Sequence, residues 1–478
     1  MGSSVVDRID RHQRCLKHLE ERWQAFSSGR KVPALVPRIA PGGSGEGFFA
    51  DLEGGKLYLD AESTTAAFFG MYQLMMGIAG EHLVENLGRQ EPRYILRPLW
   101  IKEATIHDVD ALCLQLIRWG YNAVVLDGKH VSLFSKIRAH GIKVIVTVSI
   151  VFPDTVETRC PVDAVFVHHV HETLVNLDAD YLLWESFLDH PLFYQWKYAK
   201  DALIYDVILA EVRMLEALSF PNIIYVLPYI DNNDQVLWMQ DLCDDVGEKT
   251  TLAFPAVAGD PTADHLPPHP FWKLLRCSLD TSSTPLMPIV NIGSIHQGEG
   301  LWPAPAFDLV ENYFSRMYRH HFAGAISLVT SIPEEGTILD CALWTAGQAM
   351  WRKVPPASLV ETWCVAYRGE CDIALFRDIR TAIVALGALS KKRGSNRSVM
   401  KRILAQVDTW KDEKNVDDAF LRDVRRIVFH IMQKQKIPLP NMLDDDDLKK
   451  GIWTSLDSTA VNGLSINTKI SIGSGFSA

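Results

Sequence analysis

Several things are missing from this 478-residue chain, and each absence removes a class of function. The eight cysteines, at positions 15, 113, 160, 243, 277, 341, 364 and 371, form no C-x-x-C pair. With Cys113 and Cys341 on apolar helix faces, that usage predicts reduced, buried thiols and a cytoplasmic protein, with no metal ribbon or disulfide framework. No long Lys/Arg stripe exists and the formal net charge is -10, which argues against nucleic acid as a partner. The longest apolar run, Ile142 to Phe152, is broken by Lys143, Thr147 and Ser149 and is too short to span a bilayer. Met1 to Phe26 is charged and helix-like and lacks the apolar core of a signal peptide. No G-x-S-x-G elbow marks a serine hydrolase, and no glycine fingerprint follows the first strand of the central region.

What remains is a strongly patterned chain, 47% hydrophobic and 22% charged, long enough for a large domain with smaller ones beside it. Apolar spacing predicts a helix over residues 1–30. Residues 31–91 read as a small α+β domain: an extended stretch from Arg30 to Pro41, a hairpin of Phe48–Leu52 and Lys56–Asp60 turning at Glu53-Gly54-Gly55, and a helix that begins at Ser63. The glycine cluster Gly42 to Gly47 has no clear strand before it or helix on it, so it reads as a turn rather than a phosphate cradle. Gly88 to Pro92 reads as a linker.

Eight strand-type runs then follow: Tyr94–Ile101, Tyr121–Leu126, Ile142–Val151, Asp180–Trp184, Asn222–Leu227, Thr250–Ala256, Leu286–Asn291 and Gly324–Thr330. Helical periodicity separates most of them. Alternating β and α with a count of eight predicts a (β/α)8 TIM barrel over residues 92–353, with a doubly wound open sheet as the competing fold. Residues 354–440 read as an all-helical domain suited to packing or to a homodimer, and 441–478 as a flexible acidic and polar tail.

In such a barrel the chemistry belongs at the C-terminal strand ends. Polar residues expected there are Asp127, Asp154, Glu185, Asp231, Asp260, Glu299, Glu334 and Glu335, with His190, His296 and Gln297 close by. The set is rich in carboxylates, which suits glycoside hydrolysis: one acid protonates the leaving oxygen while another carboxylate activates water or attacks the anomeric carbon. Asp154, Asp231 and Glu334 suit caps and turns equally well. Trp184 is expected to wall Glu185 and suit it to proton donation. Trp100, Trp184, Tyr229 and Trp302 are aromatics that could stack on sugar faces. The tract His168-His169-Val170-His171 falls on an expected outer helix without third and fourth ligands at metal spacing, and His320-His321 precedes the eighth strand, on the face of the barrel away from chemistry. No metal and no cofactor is expected.

The pattern resembles the α-glucuronidase type of glycoside hydrolase and, more loosely, the β-hexosaminidases. Leu59-Asp60-Ala61-Glu62-Ser63 through Phe69-Gly70-Met71-Tyr72-Gln73-Leu74-Met75 is similar to the strand and helix of their small N-terminal domain. Ile95-Leu96-Arg97-Pro98-Leu99-Trp100 is similar to their first barrel strand, Tyr181 to Pro191 to the segment that carries the general acid, and Gly324 to Thr330 with Ala342-Leu343-Trp344 and Leu359 to Trp363 to their last strand and following helices. The resemblance implies that Glu185 is the general acid, that Asp260 or Glu299 activates water, that configuration inverts, and that Arg97 meets a sugar carboxylate; His296 joins the aromatics as a substrate contact. It also shows departures. Trp100-Ile101-Lys102-Glu103 stands where the family has Trp-Asp-Asn, and Trp184 precedes Glu185 where hexosaminidases have a paired Asp-Glu. Two expectations follow: a glycosidase acting on a soluble carbohydrate, or a catalytically silent barrel serving as a carbohydrate-binding or protein-interaction module.

Overall fold

A computed structural model describes residues 5–28, 31–40, 45–79, 87–102, 104–147, 164–174, 177–186, 204–218, 220, 222–227, 242–247, 249–256, 284–292, 295–297, 300–302, 314, 318, 322–329, 331–351, 359, 362–363 and 405. The chain opens with helix α1 (Val5–Ser27), whose Leu19 and Trp23 are buried. Strands β1 (Ala34–Ile39), β2 (Phe48–Glu53) and β3 (Lys56–Ala61) follow, then helix α2 (Thr64–Ala79) and strand β4 (Gly88–Gln90). They form a four-stranded sheet in the order β1-β3-β2-β4, with β1 parallel to β3 and the other pairs antiparallel. The β2–β3 turn places both Gly54 (φ 57°) and Gly55 (φ 76°) in the left-handed region, which side-chain-bearing residues rarely enter. Ser63 caps α2, its Oγ accepting from the Ala66 amide at 3.1 Å and donating to the Gly45 carbonyl at 2.6 Å. The expected linker at Gly88 is in fact β4: its backbone pairs with β2 and closes the sheet edge.

The barrel strands are β5 (Pro98–Ile101), β6 (Ala123–Asp127), β7 (Lys143–Thr147), β8 (Tyr181–Glu185), β9 (Ile223–Val226), β10 (Thr250–Ala256), β11 (Leu286–Asn291) and β14 (Ile326–Val329). Between β11 and β14 lie two short strands, β12 (Ile295–Gln297) and β13 (Gly300–Trp302), paired as an antiparallel ribbon. The eight close in chain order, every pair parallel. This is the (β/α)8 fold, and a closed ring rules out the open doubly wound sheet. Helices α3 (Val109–Trp119), α4 (Phe134–Ala139), α5 (Ala164–Leu174), α6 (Ile204–Ala217) and α7 (Ile338–Trp351) belong to its outer layer.

Strand residues are apolar on both faces because alternate side chains enter two cores. Leu96, Trp100, Val125, Ile145, Leu183 and Ile224 fill the barrel interior, while Val124, Val144, Leu182, Trp184 and Tyr225 pack outward against the helices. The layer closes tightly where α3 meets α7. Gly120 ends α3 at φ 101°, its N–H bonded back to Leu116 and Ile117, and a Cβ on Gly347 would lie 1.9 Å from the Trp119 carbonyl oxygen. Arg118 and the indole of Trp119 both donate to the buried carboxylate of Asp340, tying the two helices.

The small sheet docks at the N-terminal end of the barrel. Glu46, in the loop before β2, accepts from Arg97 at 2.5 Å and from Asn122 at 2.6 Å, and both partners precede barrel strands. Most of residues 354–440, and all of 441–478, lie outside the described residues; Leu359 and Trp363 are described and buried. Among the described residues no helix is long and apolar enough to cross a membrane.

Candidate active site at the barrel mouth

The C-terminal ends of β5 to β8 build one side of the mouth. Along β8 the inward positions are Tyr181, Leu183 and Glu185, so the last residue brings a carboxylate over the interior core, 44% exposed. Lys102 continues the inward series of β5 two residues beyond Trp100, and its amide still bonds to the Val329 carbonyl of β14 at 3.1 Å. Its ammonium lies 3.7 Å from the centre of a Trp100 ring and 3.0 Å from Glu185 Oε1. Since β5 and β8 stand three places apart in the ring, this ion pair reaches across the mouth. Asp127 ends β6 on the inward phase of Ala123 and Val125, where its carboxylate caps the following turn by accepting from the Lys129 amide at 2.9 Å. Thr147 ends β7 in register beside Asp127.

His130 lies in the turn after Asp127. Burial, and then Lys129, lower its pKa below the ordinary imidazole value, against the opposing effects of Asp127 and a backbone hydrogen bond to Ala104. Behind the mouth the end of β8 is anchored from outside the barrel. Glu211 of α6 is fully buried and accepts from Ser186 Oγ at 3.2 Å and from the hydroxyl of Tyr225 on β9, while the Ser186 amide meets the Val226 carbonyl at 3.4 Å. A buried carboxylate needs such donors, and here they fix the strand end from which Glu185 projects.

The other expected site residues fare differently. Trp184 is one residue from Glu185 and therefore faces the opposite way: it is buried in the outer layer and is corrected from a sugar-stacking or shielding role. Glu185 faces the Lys102 ammonium in place of an aromatic wall. Trp100 points inward but is 2% exposed, forming the floor beneath Lys102 rather than an open stacking face. Arg97 is corrected outright. It precedes β5 at the far end of the barrel with no exposed surface, donating to Gly120 O at 2.8 Å, to Tyr94 O at 2.6 Å and to Glu46, with its guanidinium 4.8 Å from a Trp351 ring. No sugar carboxylate reaches it there. His296 and Trp302 lie on the β12–β13 ribbon that follows the C-terminal end of β11, with His296 opposite Leu301 and Ile295 opposite Trp302. Asp260, Glu299 and Tyr229 lie outside the described residues, as do Asp154, His190 and Asp231.

Lys102 was missed as a site residue. The signal was its place two residues after Trp100 in a strand whose alternate positions face inward. His168 is exposed on α5 and pairs with Glu172 at 3.3 Å, and among the described residues no group of His, Cys, Asp and Glu is arranged to hold a metal. At the glycine cluster, the Gly47 amide donates to the Glu62 carboxylate at 3.1 Å. A surface cavity of about 460 Å³ beside it is lined by Arg38, Asp60, Glu62 and Arg89, whose charges pair with one another, on the small sheet rather than at the mouth.

No protein-family model matches the chain, and no curated protein matches its sequence. Solved structures do. A family 89 glycoside hydrolase from Clostridium perfringens in complex with PUGNAc superposes with a TM-score of 0.55 at 9% identity, over 90% of this chain and 63% of that one. A GH138 enzyme targeting pectin rhamnogalacturonan II superposes at 0.53 and 11% identity, over 81% of this chain and 55% of that one. The chain shares their fold. At such identities the likeness extends to architecture alone, and the chain spans 55% to 63% of the length of these two proteins.

Proposed function

We propose that the barrel mouth binds a carbohydrate and hydrolyses a glycosidic bond with a pair of carboxylates, of which Glu185 is one. A single observation carries the reading: Glu185 projects, solvent-accessible, from the C-terminal end of the fourth strand, in a barrel of the kind glycoside hydrolases use. Asp260 or Glu299, after the sixth and seventh strands, supplies the second carboxylate. The α-glucuronidase resemblance adds inversion of configuration, which requires the two carboxyl groups to stand about 6.5 to 9.5 Å apart with water between them. No cofactor enters the reaction. A cytoplasmic location and a homodimer formed through residues 354–440 complete the proposal, resting on cysteine usage and helical patterning.

A second reading is favoured by one feature. Lys102 occupies Glu185 in an ion pair across the mouth, and the surrounding motif departs from the hydrolase pattern, as a silent carbohydrate-binding or protein-interaction module would allow. The deciding experiment assays wild type and Glu185→Gln on aryl glycosides, aryl uronides and natural oligosaccharides. Hydrolysis that falls at least about a hundredfold in the variant establishes the enzyme. Equal glycan binding by both proteins with no cleavage by either establishes the module.

A further inference from the structure

Lys102 lies in one of the stretches where this chain leaves the pattern it resembles, and it is in contact with Glu185. Its setting is specific. The Lys102 side chain is 25% exposed, and its ammonium rests over the Trp100 ring and reaches a carboxylate three strands away instead of a neighbour on its own side of the ring. The strand ends that hold the two groups are fixed independently: Lys102 by the hydrogen bond from its amide to the Val329 carbonyl, Glu185 by the Ser186–Glu211–Tyr225 cluster behind it. An ion pair and proton donation exclude each other at any one moment, because the pair needs the carboxylate and donation needs the acid.

From this geometry we infer that Lys102 is a positioning residue that holds Glu185 as the base of the carboxylate pair. The inference rests on the hydrolase reading and reverses the role that the family resemblance implies. Glu185 takes a proton from the attacking water as the water oxygen bonds to the anomeric carbon. The bond from that carbon to the leaving oxygen breaks, and the leaving oxygen receives its proton from the second carboxylic acid of the mouth. Water and glycoside are consumed, hemiacetal and alcohol are formed, and the site is restored when Glu185 gives its proton to solvent and the second acid takes one back.

The test uses the full chain and the best glycoside that wild type cleaves, made with a poor and with a good aryl leaving group. Glu185→Ala is expected to lose activity equally on both, with sodium azide restoring turnover as glycosyl azide, because azide replaces activated water and no leaving group replaces a base. Lys102→Met is expected to lower kcat about two- to fivefold at nearly constant KM, the range suited to a partly exposed pair. Lys102→Arg should recover most of that, with melting temperatures alike in all three proteins. If Glu185→Ala instead keeps its activity on the good leaving group, Glu185 is the proton donor and the inference is overturned while the hydrolase reading stands. Unchanged kcat in Lys102→Met overturns it likewise. If wild type cleaves nothing, the hydrolase reading falls first and this role falls with it.

Discussion

Replacing Glu46 with alanine tests how the small sheet is joined to the barrel, and with it the removal of Arg97 from the substrate site. The carboxylate is mostly buried and meets a guanidinium with no exposed surface at 2.5 Å. Breaking a buried pair from one side costs about 3–5 kcal/mol, since the surviving charge stays desolvated. Arg97 keeps the Gly120 and Tyr94 carbonyls and its place over Trp351, so the lower end, about 3 kcal/mol, is expected for Glu46→Ala. Arg97→Met acts differently. It removes the buried charge but orphans two buried carbonyls at about 1–3 kcal/mol each, while Glu46 can turn to water. The double variant should therefore lose less than the sum of the two single losses, a coupling readable in urea midpoints. The glycan affinity proposed for the mouth should not change in any of the three, because Arg97 lies five residues before Lys102, about 16 Å along an extended strand. An Arg97→Met protein of wild-type stability with weakened glycan binding would refute the reasoning.

Gly347→Ala should destabilise by about 1–3 kcal/mol or more, because the new methyl meets the Trp119 carbonyl and backbone cannot rotate aside; Gly54→Ala, open but left-handed, should lose only about 1–2 kcal/mol, and paired thermal melts distinguish the two. His18, packed on Phe68, and His130 both have pKa values lowered, chiefly by burial. The unfolded chain thus binds more protons just below the ordinary imidazole pKa. Stability should be fully present above that value and fall as pH drops through it, and urea midpoints at pH 7.5 and 5.5 should show a slope that His18→Gln reduces. Burial pushes the Cys113 thiol up to about 12, so iodoacetamide at pH 8 should leave it unmodified in the native protein and label it once denatured, as read by peptide mass.

The barrel was legible because parallel strands covered on both sides are written as compact apolar runs, and eight of them, most parted by helical periodicity, admit few other arrangements. Tyr94–Ile101 was read too long because apolar residues continue past the hydrogen-bonded rungs, as Tyr94 does when it is buried before the strand without belonging to it. The strand β4 was not legible, since Gly88-Arg89-Gln90 carries no β-forming side chain and is set in place by backbone pairing to β2 and an ion pair from Arg89 to Glu62. Arg97 looked available because the first strand was read from Tyr94, whereas the paired strand begins at Pro98 and leaves the arginine before it, at the N-terminal end. Its role came from a glutamate 51 residues earlier in sequence.

The site itself turns on phase rather than on residue type. Trp184 and Glu185 were read as one unit because they are adjacent, yet adjacency in a strand guarantees opposite faces, and the tryptophan is spent on the outer core. The same rule, applied from Trp100, sends Ile101 outward and Lys102 inward, so the two charged groups that meet at the mouth were both fixed once the inward phase of each strand was known. That they meet across three strands is a property of closure. It depends on the shear that brings the end of β5 level with the end of β8, which no local pattern encodes. A carboxylate identified from sequence as a catalytic candidate therefore acquires its partner only from closure, which here sets Lys102 opposite Glu185.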